Sequence, residues 1–251
     1  MLLTDQDPSP VRVLRPSAPS DIFLTADHAG RAIPQALGDL GVAETEHRRH
    51  IAWDVGIAGV TEHLSALLDA TAVLQTYSRL VIDCNRNPGW PSAMPEVSEY
   101  TPIPGNVGLT AADRDQRVQA IFAPYHDRIA ALLDERADRP TILVAMHSFT
   151  PSFKGESRPM QVGILFDQDA ALARIMIDLL RDEGDLTVGE NAPYALAPDS
   201  DYSVPTHAVK RGLRHLEIEI RQDLIADPAG QQAWAERFAR LLPAASRALH
   251  G

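Results

Sequence analysis

Strand-like and helix-like segments alternate along nearly the whole of this 251-residue chain. That alternation predicts an α/β fold, a three-layer α/β/α domain on a mostly parallel mixed sheet. Two observations support it. The apolar runs at 80–82 and 141–146 each end in polar side chains that are costly to bury: Asp83, Asn85 and Arg86 after the first, His147 and Ser148 after the second. Strands of a parallel sheet end this way at the carboxyl edge, where open α/β folds place ligands. Further on, Leu216, Ile218 and Ile220 alternate with Glu217, Glu219 and Arg221 at the period of two that a strand requires.

Residues 1–20 carry Pro8, Pro10, Pro16 and Pro19 and read as an extended N-terminal arm, with 21–251 as a single α/β domain. A strand over 22–26 leads into Asp27, His28, Ala29 and Gly30. Small residues after a histidine let backbone approach a ligand or metal, and the plainer alternative is a histidine that hydrogen-bonds its own loop. Residues 43–50 form a charged helical turn. Val55, Val60, Leu64, Leu67 and Leu68 then recur at helical spacing and predict an amphipathic helix. Asp54 falls at its start, as an N-cap acid or as a metal ligand.

The stretch 71–88 reads as two short strands or one bent one, with Leu80, Val81 and Ile82 as a buried strand. Residues 91–112, rich in proline and glycine, form a long loop that covers a site or lies along the surface. Thr110 with Asp113 three residues on starts a helix that reaches about Arg136. Past the strand at 141–146 come a polar loop over 149–159 and a strand from about 161. A helix over 169–183 is stopped by Gly184. The loop after it offers Tyr194, Asp201, Tyr202 and His207 as lesser candidates. The strand around Leu216 either faces water at an edge or points carboxylates into a cleft. A last helix, 228–249, carries Trp234, Phe238, Leu241 and Leu242 on one face.

Composition narrows the function. The net charge of -11 and pI near 5.2 argue against a nucleic-acid surface, which needs clustered Lys and Arg. They do not argue against a small anionic substrate, because a few local arginines outweigh a global deficit. No apolar run approaches the length of a membrane span. The single Cys84 excludes an internal disulfide, and MLLTDQDPSP lacks the features of a signal peptide, so a cytoplasmic setting is expected.

A mononuclear zinc hydrolase needs three nitrogen or oxygen ligands, a carboxylate to move protons, and donors that hold the substrate. Candidates exist for every role. His28, His147 and Asp54 could hold one Zn²⁺ per chain, Glu219 could act as base, and Arg86 beside Asn85 presents a donor fork for a carboxylate, with Arg79, Tyr194 and Tyr202 as further substrate contacts. The chain has no GxSxG, P-loop or GxGxxG signature. Cys84 has no evident base.

These residues resemble the N-formylglutamate amidohydrolase family. DHAGRAIP, HIAWDVG, YSRLVIDCNRNP, MHSFTP, NAPY and LEIEIRQDLI stand in the order the family shows. The family is distantly similar to zinc carboxypeptidases, which implies a zinc-exopeptidase-like (phosphorylase/hydrolase-like) fold. The run from Asp83 to Asn87 resembles their carboxylate-anchoring stretch and His147-Ser148 their last ligand segment. Their His-x-x-Glu motif is absent, since Arg31 stands three residues after His28. Asp54 is therefore inferred as the second ligand, with Asp27 or Glu217 as substitutes. The family's Glu-x-Arg pattern, matched by Glu219 and Arg221, favours Glu219 over Glu217 as base. The resemblance implies hydrolysis of N-formyl-L-glutamate to formate and glutamate, a late step of histidine breakdown. Two alternatives keep the scaffold: a zinc deacylase or carboxypeptidase-like enzyme with another substrate, and a non-catalytic amino-acid-binding protein.

Overall fold

Strands whose two faces are both apolar must be covered on both sides, and the middle of this sheet is built from such strands. The computed structural model describes residues 2–167, 169–197 and 200–250. Its strands are β1 (Val11–Leu14), β2 (Ile22–Ala26), β3 (Thr71–Gln75), β4 (Val97–Ser98), β5 (Thr101–Pro102), β6 (Ile142–Phe149), β7 (Ser152–Phe153), β8 (Glu156–Ser157), β9 (Val162–Leu165), β10 (Val188–Glu190) and β11 (Arg214–Arg221). Its α-helices are α1 (Glu44–His47), α2 (Ile57–Leu68), α3 (Ala111–Arg117), α4 (Ala123–Asp134), α5 (Ala171–Asp182), α6 (Ser203–His207) and α7 (Pro228–His250). Among the described residues the main sheet has seven strands in the order β1-β3-β2-β6-β11-β9-β10. The central β3, β2, β6 and β11 are parallel, while β1 and β9 join them antiparallel, so the sheet is mixed and mostly parallel, as the sequence predicts.

Alternation along each strand divides the core in two. Leu24, Val144, Leu216 and Ile218 face α2, α5 and α7 and pack with Val60, Leu64, Met176 and Phe238. Phe23, Val73 and Leu143 face the other way, onto Tyr125, Ile129 and Leu132 of α4. Each of these aliphatic side chains contributes about 1.5–3 kcal/mol when fully buried. Residues Val11–Leu14 of the arm form β1, antiparallel to β3 at the edge of the sheet. No helix among the described residues is long and apolar enough to cross a membrane.

Two expectations are corrected in detail, and one alternative that the sequence leaves open is decided. Residues 80–82 are buried but are not a strand; they lie in turns of the loop that follows β3. The loop is held by side chains instead of a ladder. Asn106 donates to the carbonyl oxygens of Leu80 and Pro95 at 2.9 and 2.8 Å, and the buried Arg117 donates to Val81 and Gly105 at 2.8 and 3.0 Å. The helix begun by Thr110 has the expected capping box, but between α3 and α4 it widens into a π-helical stretch, Val118–Phe122. β11 is not an edge strand; it lies between β6 and β9, with Glu217 and Glu219 buried.

Candidate active site

The parallel strands deliver their chemistry to one edge of the sheet. β2 leads into Asp27 and His28, β6 carries His147, β11 carries Glu217 and Glu219, and the loop after β3 carries Arg79, Asp83, Asn85 and Arg86. Gly30 makes this approach possible, because a Cβ there would sit 2.0 Å from the carbonyl oxygen of Thr76. It therefore serves backbone packing between the two strand-end loops. Asp54 precedes α2 but does not cap it. Gly56 occupies the N-cap in a left-handed conformation with no side-chain cap bond, and the Asp54 carboxylate turns inward to the histidines.

Asp54 Oδ2 lies 3.0 Å from His147 Nδ1 and 3.5 Å from His28 Nδ1. One donor atom from each of His28, Asp54 and His147 lies within 4.8 Å of the others. A second carboxylate stands behind each imidazole. His28 Nε2 is 2.7 Å from Asp83 Oδ1, and His147 Nε2 is 3.6 Å from Asp27 Oδ2. Asp27 is fixed in turn by the hydroxyls of Tyr125 and Ser203, which both donate to its Oδ1 at 2.8 Å. Because His28 gives its Nε2–H to Asp83, the Nδ1 lone pair is the free one, and that buried atom has no hydrogen-bond partner. Two imidazole nitrogens and a carboxylate, with carboxylates orienting the rings, suit a zinc-like divalent ion, and the orphaned Nδ1 is the atom such an ion would satisfy.

The electrostatics agree with this geometry. Burial and Arg79 would lower the His28 pKa, but Asp83 and Asp54 outweigh them and raise it. Burial would raise Asp54, yet His28 and His147 hold its carboxyl well below the usual range. Glu217 and Glu219 behave in the opposite way. Burial pushes Glu217 up to about 7 and Glu219 well above the ordinary carboxylate range, with His147 pulling against it in both. Both project from the face of β11 opposite Ile218. Glu219 is in register with His147 on β6 and Gly163 on β9, and its Oε2 is buried without a partner. At Gly163 a Cβ would come within 2.0 Å of the Ala192 carbonyl oxygen, so glycine lets the following turn close over this strand.

These groups open into one cleft of about 470 Å³. His28, Asp54, His147, Glu219, Arg79, Asn85, Arg86 and Tyr194 all border it. Arg79 is engaged with Asp83 Oδ2 through Nε and Nη2, at 3.1 and 2.7 Å. Arg86 Nη1 donates to the carbonyl oxygens of Asn85 and Ser200 and lies 3.5 Å from Asp201. The Asn85 carboxamide is occupied by its neighbours: Oδ1 accepts from the N–H groups of Tyr202 and Ser203 at 3.0 Å, and Nδ2 donates to Asp201 at 3.0 Å. Tyr202 does not border the cleft; its ring packs on Phe122 and His126. His207 also lies elsewhere, stacked on His126. Cys84 is fully buried, and burial pushes its thiol up, which leaves it inert. Sequence reasoning missed Asp83 as the partner of His28, 55 residues away, and no local pattern signals such a pair.

Comparison with known proteins gives a consistent result. The N-formylglutamate amidohydrolase family profile matches residues 20–226. A gene product from Agrobacterium tumefaciens superposes with a TM-score of 0.96 at 39% identity, covering 100% of both chains. The N-formylglutamate amidohydrolase from Ralstonia eutropha JMP134 shares the fold at a TM-score of 0.69 and 19% identity, covering 95% of this chain and 98% of its own. A bacteriophage poly-gamma-glutamate hydrolase shares it more distantly, at a TM-score of 0.51 and 11% identity, over 98% of this chain and 93% of its own. No curated protein matches this chain. With a profile match over most of its length and a cleft lined by the groups an amide hydrolase requires, this chain belongs to the N-formylglutamate amidohydrolase family.

Proposed function

We propose that this protein hydrolyses the N-acyl amide of N-formyl-L-glutamate or a closely similar N-acyl amino acid, with one divalent ion, zinc by donor chemistry, held by His28, Asp54 and His147. One observation carries the reading. The unpartnered Nδ1 of His28 converges with Asp54 and His147 beside Glu219, whose own buried Oε2 is also unpartnered. A zinc ion bound there supplies Lewis acidity, which brings the pKa of a water to ~7 and polarises an amide carbonyl.

The remaining roles fall to the chain's own groups. Glu219 accepts a proton from the attacking water, whose oxygen adds to the formyl carbon. As the C–N bond breaks, Glu219 passes that proton to the leaving nitrogen, and formate and the free amino acid depart. Burial suits Glu219 to this traffic, because a carboxylate with a raised pKa takes a proton from water more readily than an exposed one does, and its acid form then hands that proton to the more basic leaving nitrogen. Arg86 holds the substrate α-carboxylate, and Asn85 keeps the 200–203 segment in place beside it. Arg79 anchors Asp83 behind His28, and Tyr194 offers a hydroxyl at the mouth. Residues 21–251 act as one hydrolase domain, to which the arm adds an edge strand. The buried single cysteine fits a reducing cytoplasm, and the products fit a late step of histidine breakdown.

The test is to assay formyl-, acetyl- and succinyl-L-glutamate with zinc-loaded protein. Release of formate from the first at a rate well above the others supports the reading. Turnover of none of them overturns it.

A further inference from the structure

Among the cations around the cleft, Arg158 is differently placed. Arg79 is paired with Asp83, and Arg49 with Glu46 and Glu99. Arg86 has Asp201 at 3.5 Å. Arg158 has no carboxylate at ion-pair distance among the described residues, although the chain carries an excess of acids. Its position is set by aromatic rings. The guanidinium carbon lies 4.7 Å from the Tyr194 ring centroid, 4.9 Å from Phe153 and 6.0 Å from Phe149, and Nη1 donates to the Tyr194 hydroxyl at 2.8 Å.

All three rings border the cleft. Phe149 follows His147 by two positions on β6, so it shares that strand's inward face about 7 Å further along. The clamp therefore begins one side-chain step from the reacting centre. A guanidinium stacked on aromatic faces keeps its edge donors for a planar acceptor, and only one of five is used here.

A dicarboxylate needs two cationic holders: Arg86 borders the cleft, and Arg158, which has no carboxylate at ion-pair distance, stands behind the three rings that border it. We propose that Arg158 binds the side-chain carboxylate of the substrate while Arg86 takes the α-carboxylate, which makes the site selective for N-acylated acidic amino acids. The assignment rests on the function proposed above and adds the residue that sets its specificity.

The experiment compares N-formyl-L-glutamate with its neutral isostere N-formyl-L-glutamine, in zinc-loaded wild type, R158A and R158K. Binding of L-glutamate and L-glutamine to the same proteins is measured by calorimetry. Wild type is expected to prefer the glutamyl compound, and the ratio of kcat/KM values is expected to fall about 10- to 100-fold in R158A, mainly through KM, with R158K between. A purely structural role would weaken both substrates in proportion and leave the ratio unchanged, which overturns the proposal. So does a wild type with no preference for the acid. If wild type hydrolyses neither compound but binds glutamate over glutamine in an Arg158-dependent way, the hydrolytic reading fails and the Arg158 assignment stands.

Discussion

Replacing Asp54 by Asn separates two roles that its place in the sequence leaves equal. Asparagine caps helices as well as aspartate does, so a capping Asp54 would tolerate the change with stability and ion binding intact. The structure gives its carboxylate other work: Oδ2 stands against His147 Nδ1 and the Ser148 N–H, and Oδ1 lies 3.5 Å from Arg79. D54N removes the only negative charge among the three candidate ligands. Deleting one partner of a buried charged set costs about 3–5 kcal/mol. At about 1.4 kcal/mol per tenfold, that corresponds to a zinc affinity weakened by about 10²- to 10³-fold or more. Competition with a chelating zinc dye near neutral pH measures the affinity, and a urea melt of the same sample reports whether the fold is retained. Affinity and formate release within twofold of wild type would refute the reasoning.

Other consequences follow from the same geometry. E219Q should lower kcat about 10²- to 10⁴-fold while zinc content stays at the wild-type level, and a normal kcat would remove Glu219 from the proton path. R117M should cost about 3–5 kcal/mol in urea unfolding, because the buried guanidinium satisfies Val81, Gly105 and Asn106 in the loop that carries Asp83 and Arg86; a loss under about 1 kcal/mol would contradict that role. His126 and His207 set an acid limit. His126 gives its Nε2–H to the Cys84 carbonyl oxygen, so its Nδ1 accepts from His207 Nε2, and burial drives the pair down to about 4 and about 3. Their folded pKa values lie below the unfolded ~6.5, so their contribution is complete above that pH and is lost as pH falls toward 4 and 3. The loss amounts to about 2 kcal/mol for each by pH ~5. The fall in unfolding free energy between neutral pH and pH ~5 should shrink by about half of that total in H207N, and an unchanged slope would refute the assignment.

Much of this was legible in the sequence because burial and chemistry left local marks. The places of His28 after β2 and His147 near the end of β6 follow from where apolar runs meet polar groups, and the Thr110–Asp113 capping box from residue identity at fixed spacing; strand periodicity puts Glu217 and Glu219 on one face but leaves open whether that face meets water or the cleft. Residues 80–82 read as a strand because a short buried apolar run looks the same whether a ladder or side chains satisfy its backbone. Here the satisfying groups are Asn106 and Arg117, the latter on a helical segment where an arginine ordinarily marks a solvated face. Loop tyrosines carry no signal of direction in the sequence, and the Tyr202 ring packs on Phe122, away from the cleft. The pairing of His28 with Asp83 depends on two strand-end loops meeting in space, and nothing local in the polar loop 149–159 marks Arg158 as the cation packed on three rings.

The central claim, a single catalytic ion held by His28, Asp54 and His147, is tested most directly by anomalous diffraction at the zinc edge from crystals of the zinc-loaded protein. The account predicts one peak per chain, within bonding distance of His28 Nδ1, the Asp54 carboxylate and His147. No peak there, or an ion held instead by His147 with Glu217 and Glu219, would contradict it.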